Sequence, residues 1–189
     1  MSLPRPWELL ETEHLQDCRV FRVARSIVRS PRTGQEHSFY RIDADDWVNI
    51  VPITTSGEVV MIRQYRHGSR EVTLEIPGGI VDPGESPLAA ALRELREETG
   101  YAAETAEPTG VVNPNPALFG NRVYSFLARD VRLAGAIENE GTEETHVELV
   151  SRAQLPELLG AGRITHALVV AAFFWFEMHE RASTGGLRS

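Results

Sequence analysis

The chain has 189 residues, 42% of them apolar, enough for one ordinary core and a small appended element. A formal charge of −8 repels a phosphate backbone, so nucleic acid is not an expected partner, and a polyphosphate ligand needs local basic groups or metal ions. The single cysteine, Cys18, excludes an internal disulfide and fits a reducing, cytoplasmic compartment; the ten-residue apolar run from Ala167 to Phe176 falls short of the roughly twenty that cross a bilayer, so no membrane partner is expected.

In chain order, residues 19–29 alternate and are rich in β-branched side chains, then meet a Pro-Arg-Thr-Gly turn at 31–34, with 37–42 as the return strand. This pair predicts a small N-terminal antiparallel sheet. The opening MSLPRPWELLETEH carries no apolar segment of signal-peptide type. Residues 47–54 and 58–65 flank Thr55-Ser56-Gly57 and read as a hairpin, followed by a strand at 72–76 that Pro77-Gly78-Gly79 breaks. The clearest helix is 87–99: Ser86 is its N-cap, Pro87 sits where a missing N–H costs nothing, and Gly100 ends it. Leu88, Ala91, Leu92 and Leu95 form its buried stripe. Strands follow at about 109–113 and 121–130, then an acidic loop at 138–145 and a strand at 146–150. Two helices close the chain, one after Ser151 and one after Thr165, the latter with Leu168, Ala171, Ala172, Trp175 and Phe176 at helical spacing. The expected class is α+β, with residues 1–45 as a β extension, 46–182 as the main domain and 183–189 as a disordered tail.

On a helical wheel, Glu94 and Glu98 lie one turn apart on one flank with Glu97 beside them, while Arg93 and Arg96 fall on the other. Like charges at this spacing repel by roughly 0.2–0.5 kcal/mol, and a cation between them removes the repulsion. Oxygen-only ligation favours Mg²⁺, with Mn²⁺ as a substitute. A solvated acidic face braced by the Arg93–Glu97 pair is the other reading of the helix alone. The glycines of the preceding loop, Gly78, Gly79 and Gly84, favour the first, because they allow the backbone to approach a bound phosphate closely.

Gly79, five residues, Glu85, seven residues, Arg93-Glu94-Leu95, one residue, Glu97-Glu98, one residue and Gly100-Tyr101 match the Nudix box at every defined position. The chain therefore resembles the Nudix hydrolases, and in Arg63-Gln64-Tyr65-Arg66 and Glu75-Ile76-Pro77-Gly78-Gly79 it looks like their ADP-ribose and nucleotide-sugar pyrophosphatases. The resemblance implies an α/β/α sandwich with a mixed sheet. It implies that Glu94, Glu98 and the Gly78 carbonyl hold the metal, with Glu97 alongside, and that Glu85 pairs with Arg93. It places Arg63, Arg66 and Glu75 near the phosphates. It also implies a catalytic glutamate from a late loop, with Glu143 the first choice, Glu140 and Glu144 next, and Glu97 as the base within the box.

Pro116 stands where ADP-ribose enzymes tend to carry a proline, but the surrounding Asn113-Pro114-Asn115-Pro116-Ala117 departs from their pattern and leaves room for GDP-mannose or another nucleotide sugar. Trp47 or Tyr40 is a candidate for stacking on the base. The resemblance further implies a homodimer in which the N-terminal sheet helps to form the base pocket. The expected activity is Mg²⁺-dependent hydrolysis of a nucleoside diphosphate sugar to a nucleoside monophosphate and a sugar phosphate. The alternatives are a Nudix pyrophosphohydrolase acting on a nucleoside triphosphate or dinucleotide polyphosphate, and a non-catalytic sensor.

Overall fold

The computed structural model describes residues 3–139 and 141–185. Contacts divide the chain into two compact units, one formed by residues 1–45 and 113–122, the other by 46–112 and 123–189.

In the first unit, strands β1 (Glu8–Asp17), β2 (Arg22–Arg29) and β3 (Glu36–Asp43) form an antiparallel sheet in the order β1-β2-β3. The sequence reading found β2 and β3 and missed β1. The sequence of β1, ELLETEHLQD, is rich in Glu and Leu, which favour helix, and its only β-branched residue is Thr12. Its state is decided by its ladder with β2, which runs from Glu8↔Arg29 to Asp17↔Arg22. Acid on β1 faces base on β2: Glu13 pairs with Arg25 at 2.6 Å and Glu8 with Arg29 at 2.9 Å. The proline-bearing segment 113–122 belongs to this unit. Its Leu118 carbonyl accepts from Ile42 N at 2.8 Å, and Asn121 Nδ2 donates to the Asp45 carbonyl at 2.9 Å.

The second unit is built on a seven-stranded mixed sheet. Strands β4 (Trp47–Thr54) and β9 (Val123–Leu133) pair in parallel at its centre, and β5 (Glu58–Arg66) links β4 to β10 (Thr145–Ser151). Strands β6 (Glu71–Glu75), β7 (Tyr101–Ala102) and β8 (Glu107–Val112) complete it, β6 on β5 and the other two on β9. Alternation along the strands sends odd and even residues of β4 and β5 to opposite faces. Val51, Ile53, Val59 and Met61 pack against α2 (Leu155–Gly160) and α3 (Ala167–Gly185). Val48, Ile50 and Val60 pack against α1 (Pro87–Thr99). The result is the expected α/β/α sandwich.

Helix α1 has the caps its sequence calls for. Ser86 Oγ accepts from Ala89 N at 3.2 Å, and Gly100 takes the left-handed conformation that ends the helix. In α3 the buried face is Val169, Ala172, Phe173 and Phe176, turned by about one residue from the expected stripe. The helix also continues to Gly185, so the expected disordered tail is helical over its first residues; 186–189 lie outside the described residues. None of the described helices is long and apolar enough to cross a membrane.

Helix α3 and β8 meet at Gly110, where the Trp175 ring lies 2.5 Å from the position a Cβ would take. A ring packed between a helix and a sheet has little room to yield, so Gly110→Ala is expected to destabilise the fold by about 1–3 kcal/mol in denaturant unfolding. Gly120→Ala, with nothing within 4 Å of its new methyl, serves as the control and should leave stability close to wild type.

Candidate active site

The loop after β6 runs along the edge of β4. Ile50 N donates to the Pro77 carbonyl at 3.0 Å, Val48 N to the Gly79 carbonyl at 2.9 Å, and Gly79 N to the Val48 carbonyl at 3.1 Å. This pairing carries Gly78 and Gly79 over the carboxylates of α1. Gly78 N donates to Glu98 Oε2 at 2.9 Å, and a Cβ on Gly79 would lie 2.2 Å from Glu94 Oε1. Only a residue without a side chain fits at Gly79 while Glu94 keeps its place.

Glu98 is 3% exposed although it is a carboxylate. Burial pushes its carboxyl up to about 8, the nearby Glu94 and Glu143 push the same way, and the Gly78 N–H and Arg66 only partly oppose them. Glu94 is also raised, first by burial and then by the charges of Glu97 and Glu143. Two adjacent carboxylates that both resist ionisation lack positive charge, which a divalent ion supplies. Their oxygen-only chemistry suits a hard cation. The residues present therefore fit a divalent metal site.

That site is not a finished cage. Among the described residues, no three His, Cys, Asp or Glu side chains form a ready cluster. The guanidinium of Arg93 stands among the acids instead. Its Nη1 donates to Glu94 Oε1 at 2.9 Å and Glu97 Oε2 at 3.0 Å, and its Nη2 to Glu85 Oε2 at 3.1 Å and the Ile80 carbonyl at 3.0 Å. The helical wheel put Arg93 on the flank away from Glu94; its long side chain curls back across the first flank and corrects that reading. The expected Glu85–Arg93 and Arg93–Glu97 pairs are both present.

A second cluster lies beside the first. Glu75, 2% exposed, accepts from Arg66 Nε and Nη2 at 2.8 Å each and from the Thr73 hydroxyl. Burial alone would raise the Glu75 carboxyl, but the Arg66 fork, Thr73 and His166 hold it below its ordinary range. Arg66 in turn feels the charges of Glu98 and Glu143. The exposed Glu143 thus acts on Glu94, Glu98 and Arg66. Glu144 is exposed in the same loop, and Glu140 lies outside the described residues.

The structure does not bring Arg63 to this cluster. Three residues from Arg66 on the same strand, it projects from the other face and pairs with Glu148 at 2.6 Å. Half-buried Trp47 opens β4, where its backbone bridges Ile80 of the loop before α1. Sequence reasoning missed Thr73, Asn49 and His166. Asn49 Nδ2 donates to the Leu168 carbonyl at 3.2 Å, and His166 Nε2 lies 3.9 Å from Glu75 Oε2. The available signal for His166 was its position one residue ahead of the last apolar run, where a helix cap belongs.

Residues 45–173 match the NUDIX domain, and they include the loop, the helix and both clusters. The chain belongs to the Nudix family. An ADP-ribose pyrophosphatase of Bacillus subtilis is 32% identical to it over 103 residues, 54% of this chain and 55% of that relative. The Nudix chain thus matches about half the length of that curated relative. A methanol dehydrogenase activator of Bacillus methanolicus is 30% identical over 135 residues, 69% of this chain and 72% of that one. A crystal structure of an ADP compounds hydrolase superposes with a TM-score of 0.85 at 24% identity, covering 97% of this chain and 98% of that chain, which establishes the shared fold. Nudix hydrolases generally use divalent metal ions.

The raised Glu98 carboxyl has a measurable consequence in metal-free protein. Between its ordinary value of 4.5 and about 8, the folded chain holds a proton that the unfolded chain has released, so folding weakens as pH rises through that window. His166, lowered from 6.5 by burial, acts in the opposite sense below 6.5, which makes pH 6.5–8 the clean range. In EDTA the melting temperature should fall across that range. Mg²⁺ or Glu98→Gln should flatten the fall, and an equal slope in Glu98→Gln would mean that Glu98 is already ionised.

Proposed function

We propose that this Nudix protein hydrolyses the pyrophosphate bond of a nucleoside diphosphate sugar of the ADP-ribose or GDP-mannose type, giving a nucleoside monophosphate and a sugar phosphate. The observation that carries this reading is the pair of half-buried Glu94 and buried Glu98 under Gly78 and Gly79, set next to an arginine held in a fixed orientation by Glu75. The names of the relatives, an ADP-ribose pyrophosphatase and an ADP compounds hydrolase, support the substrate class.

Glu94, Glu98 and the Gly78 carbonyl are the proposed holders of Mg²⁺, with Mn²⁺ as a substitute. When bound, the ion neutralises diphosphate charge and acidifies water. Arg66 uses two of its donors on Glu75, which fixes its plane and leaves its remaining N–H groups for a phosphate oxygen. Water attacks one phosphorus, the P–O bond to the bridging oxygen breaks, and the other phosphate leaves with that oxygen. The water's proton passes to a carboxylate. Glu143 is the proposed base, because Glu97 is engaged by Arg93 at 3.0 Å whereas Glu143 is exposed in a loop whose charge reaches both Glu94 and Glu98. Trp47 is the proposed stacking ring for the base.

Release of nucleoside monophosphate from ADP-ribose, GDP-mannose, UDP-glucose, a dinucleotide polyphosphate and a nucleoside triphosphate tests the reading. Wild type should turn over a nucleotide sugar with the highest kcat/KM, lose that activity in EDTA and regain it with Mg²⁺. Glu98→Gln and Glu143→Gln should each lower kcat by about 10²–10⁴. Wild-type kcat in Glu98→Gln, or preference for a triphosphate, would overturn the assignment.

The first unit's sheet exposes Trp7, Leu9, Leu10, Leu15, Phe39 and Tyr40. Strand alternation divides these side chains between the two faces of the sheet, with Trp7 edge-on to Phe39 on one face and Tyr40 on the other, and a homodimer through this sheet is part of the proposal. Light scattering should give twice the chain mass of 21.0 kDa, and Leu9→Glu with Phe39→Glu should give the monomer; a monomeric wild type contradicts it.

A further inference from the structure

Glu75 is almost completely buried, and its acceptor sites are nearly all used. Oε1 takes Arg66 Nε and the Thr73 hydroxyl, and Oε2 takes Arg66 Nη2. The remaining side of Oε2 faces His166 Nε2 at 3.9 Å. His166 stands immediately before α3. Its carbonyl accepts from Val169 N at 3.0 Å and Val170 N at 3.1 Å, and its ring Nδ1 accepts from Leu168 N at 3.3 Å. A ring nitrogen that accepts from a backbone N–H carries no proton, so in the neutral ring the proton is on Nε2, the atom turned toward Glu75. Burial favours that neutral ring. The start of α3 is fixed from a second side by the bond from Asn49 Nδ2 to the Leu168 carbonyl.

We infer that His166 is a positioning residue: locked in its Nε2–H tautomer by the first turn of α3, it presents an N–H to the open side of Glu75 and thereby steadies the carboxylate that orients Arg66. At 3.9 Å Nε2 stands beyond hydrogen-bond length from Oε2, so the ring acts on Glu75 as an oriented N–H dipole at close range. Simple helix capping accounts for the Nδ1 contact, and the rigid ring then carries Nε2 to the side of a buried carboxylate that capping does not require. Asparagine separates the two roles. It caps a helix as well as any residue, and its short side chain ends before Glu75.

The test compares wild type with His166→Asn in the full chain. Steady-state kinetics on ADP-ribose with Mg²⁺ rest on the proposed reading that Arg66 holds a diphosphate. KM should rise about fivefold with kcat within about twofold, the signature of lost ground-state binding. Two NMR readouts on metal-free, substrate-free protein stand apart from that reading. The long-range ¹H–¹⁵N spectrum should show His166 as the Nε2–H tautomer at pH 7.5, and hydrogen exchange at Arg66 Nε should quicken severalfold in His166→Asn. An Nδ1–H tautomer, or an unchanged Arg66 exchange rate, overturns the inference. If wild type leaves every nucleotide sugar intact, the substrate assignment falls while the NMR result still decides the role of His166.

Discussion

The site depends on one contact: the Gly78 N–H donating to the buried carboxylate of Glu98. It joins the loop after β6 to the last turn of α1, and both elements are already fixed to the central sheet, the loop by its pairing with β4 and the helix by Ala90, Ala91 and Leu95. A carboxylate in so dry a place is costly to ionise, and a single backbone donor does not offset that cost. The geometry is stable as a protein and unsatisfied as a charge distribution, which is the condition in which a cation binds with most effect. The far end of the same turn is also secured, since the Thr145 hydroxyl donates to the Glu98 carbonyl at 2.7 Å. The acidic loop that carries Glu143 therefore ends on the residue whose charge it influences.

Much of this was legible in the sequence because it is periodic or local. Ser86, Pro87 and Gly100 mark the ends of α1, and the spacing of Leu88, Leu92 and Leu95 gives its inner face, which sets Glu94 and Glu98 on one flank. The box glycines were legible for the same reason. What the sequence hid was either non-local or dependent on side-chain length. Strand β1 has helix-favouring residues and becomes a strand only by pairing with β2. Arg93 has a reach of several ångströms, and a wheel that tracks Cβ directions cannot place its guanidinium. Arg63 and Arg66 looked equivalent in the motif, and strand alternation separates them once β5 is known.

The Arg66–Glu75 pair and the Glu94–Glu98 pair have opposite electrostatic characters. The first is complete, with fork geometry and a hydroxyl bond that hold the carboxylate ionised. The second is only half compensated, since Arg93 reaches Glu94 while Glu98 receives one backbone N–H. Because Glu75 already occupies two of its donors, Arg66 is kept from collapsing onto Glu94 and Glu98.

Arg93 has a further consequence. It spreads one unit of positive charge over Glu85, Glu94 and Glu97, so the acidic box is partly neutralised by the chain itself. A sodium or potassium ion approaching Glu94 offers no more charge than the guanidinium already there and gains little by displacing it. A doubly charged ion does gain. The arginine is thus a resident positive charge that any cation approaching Glu94 meets first.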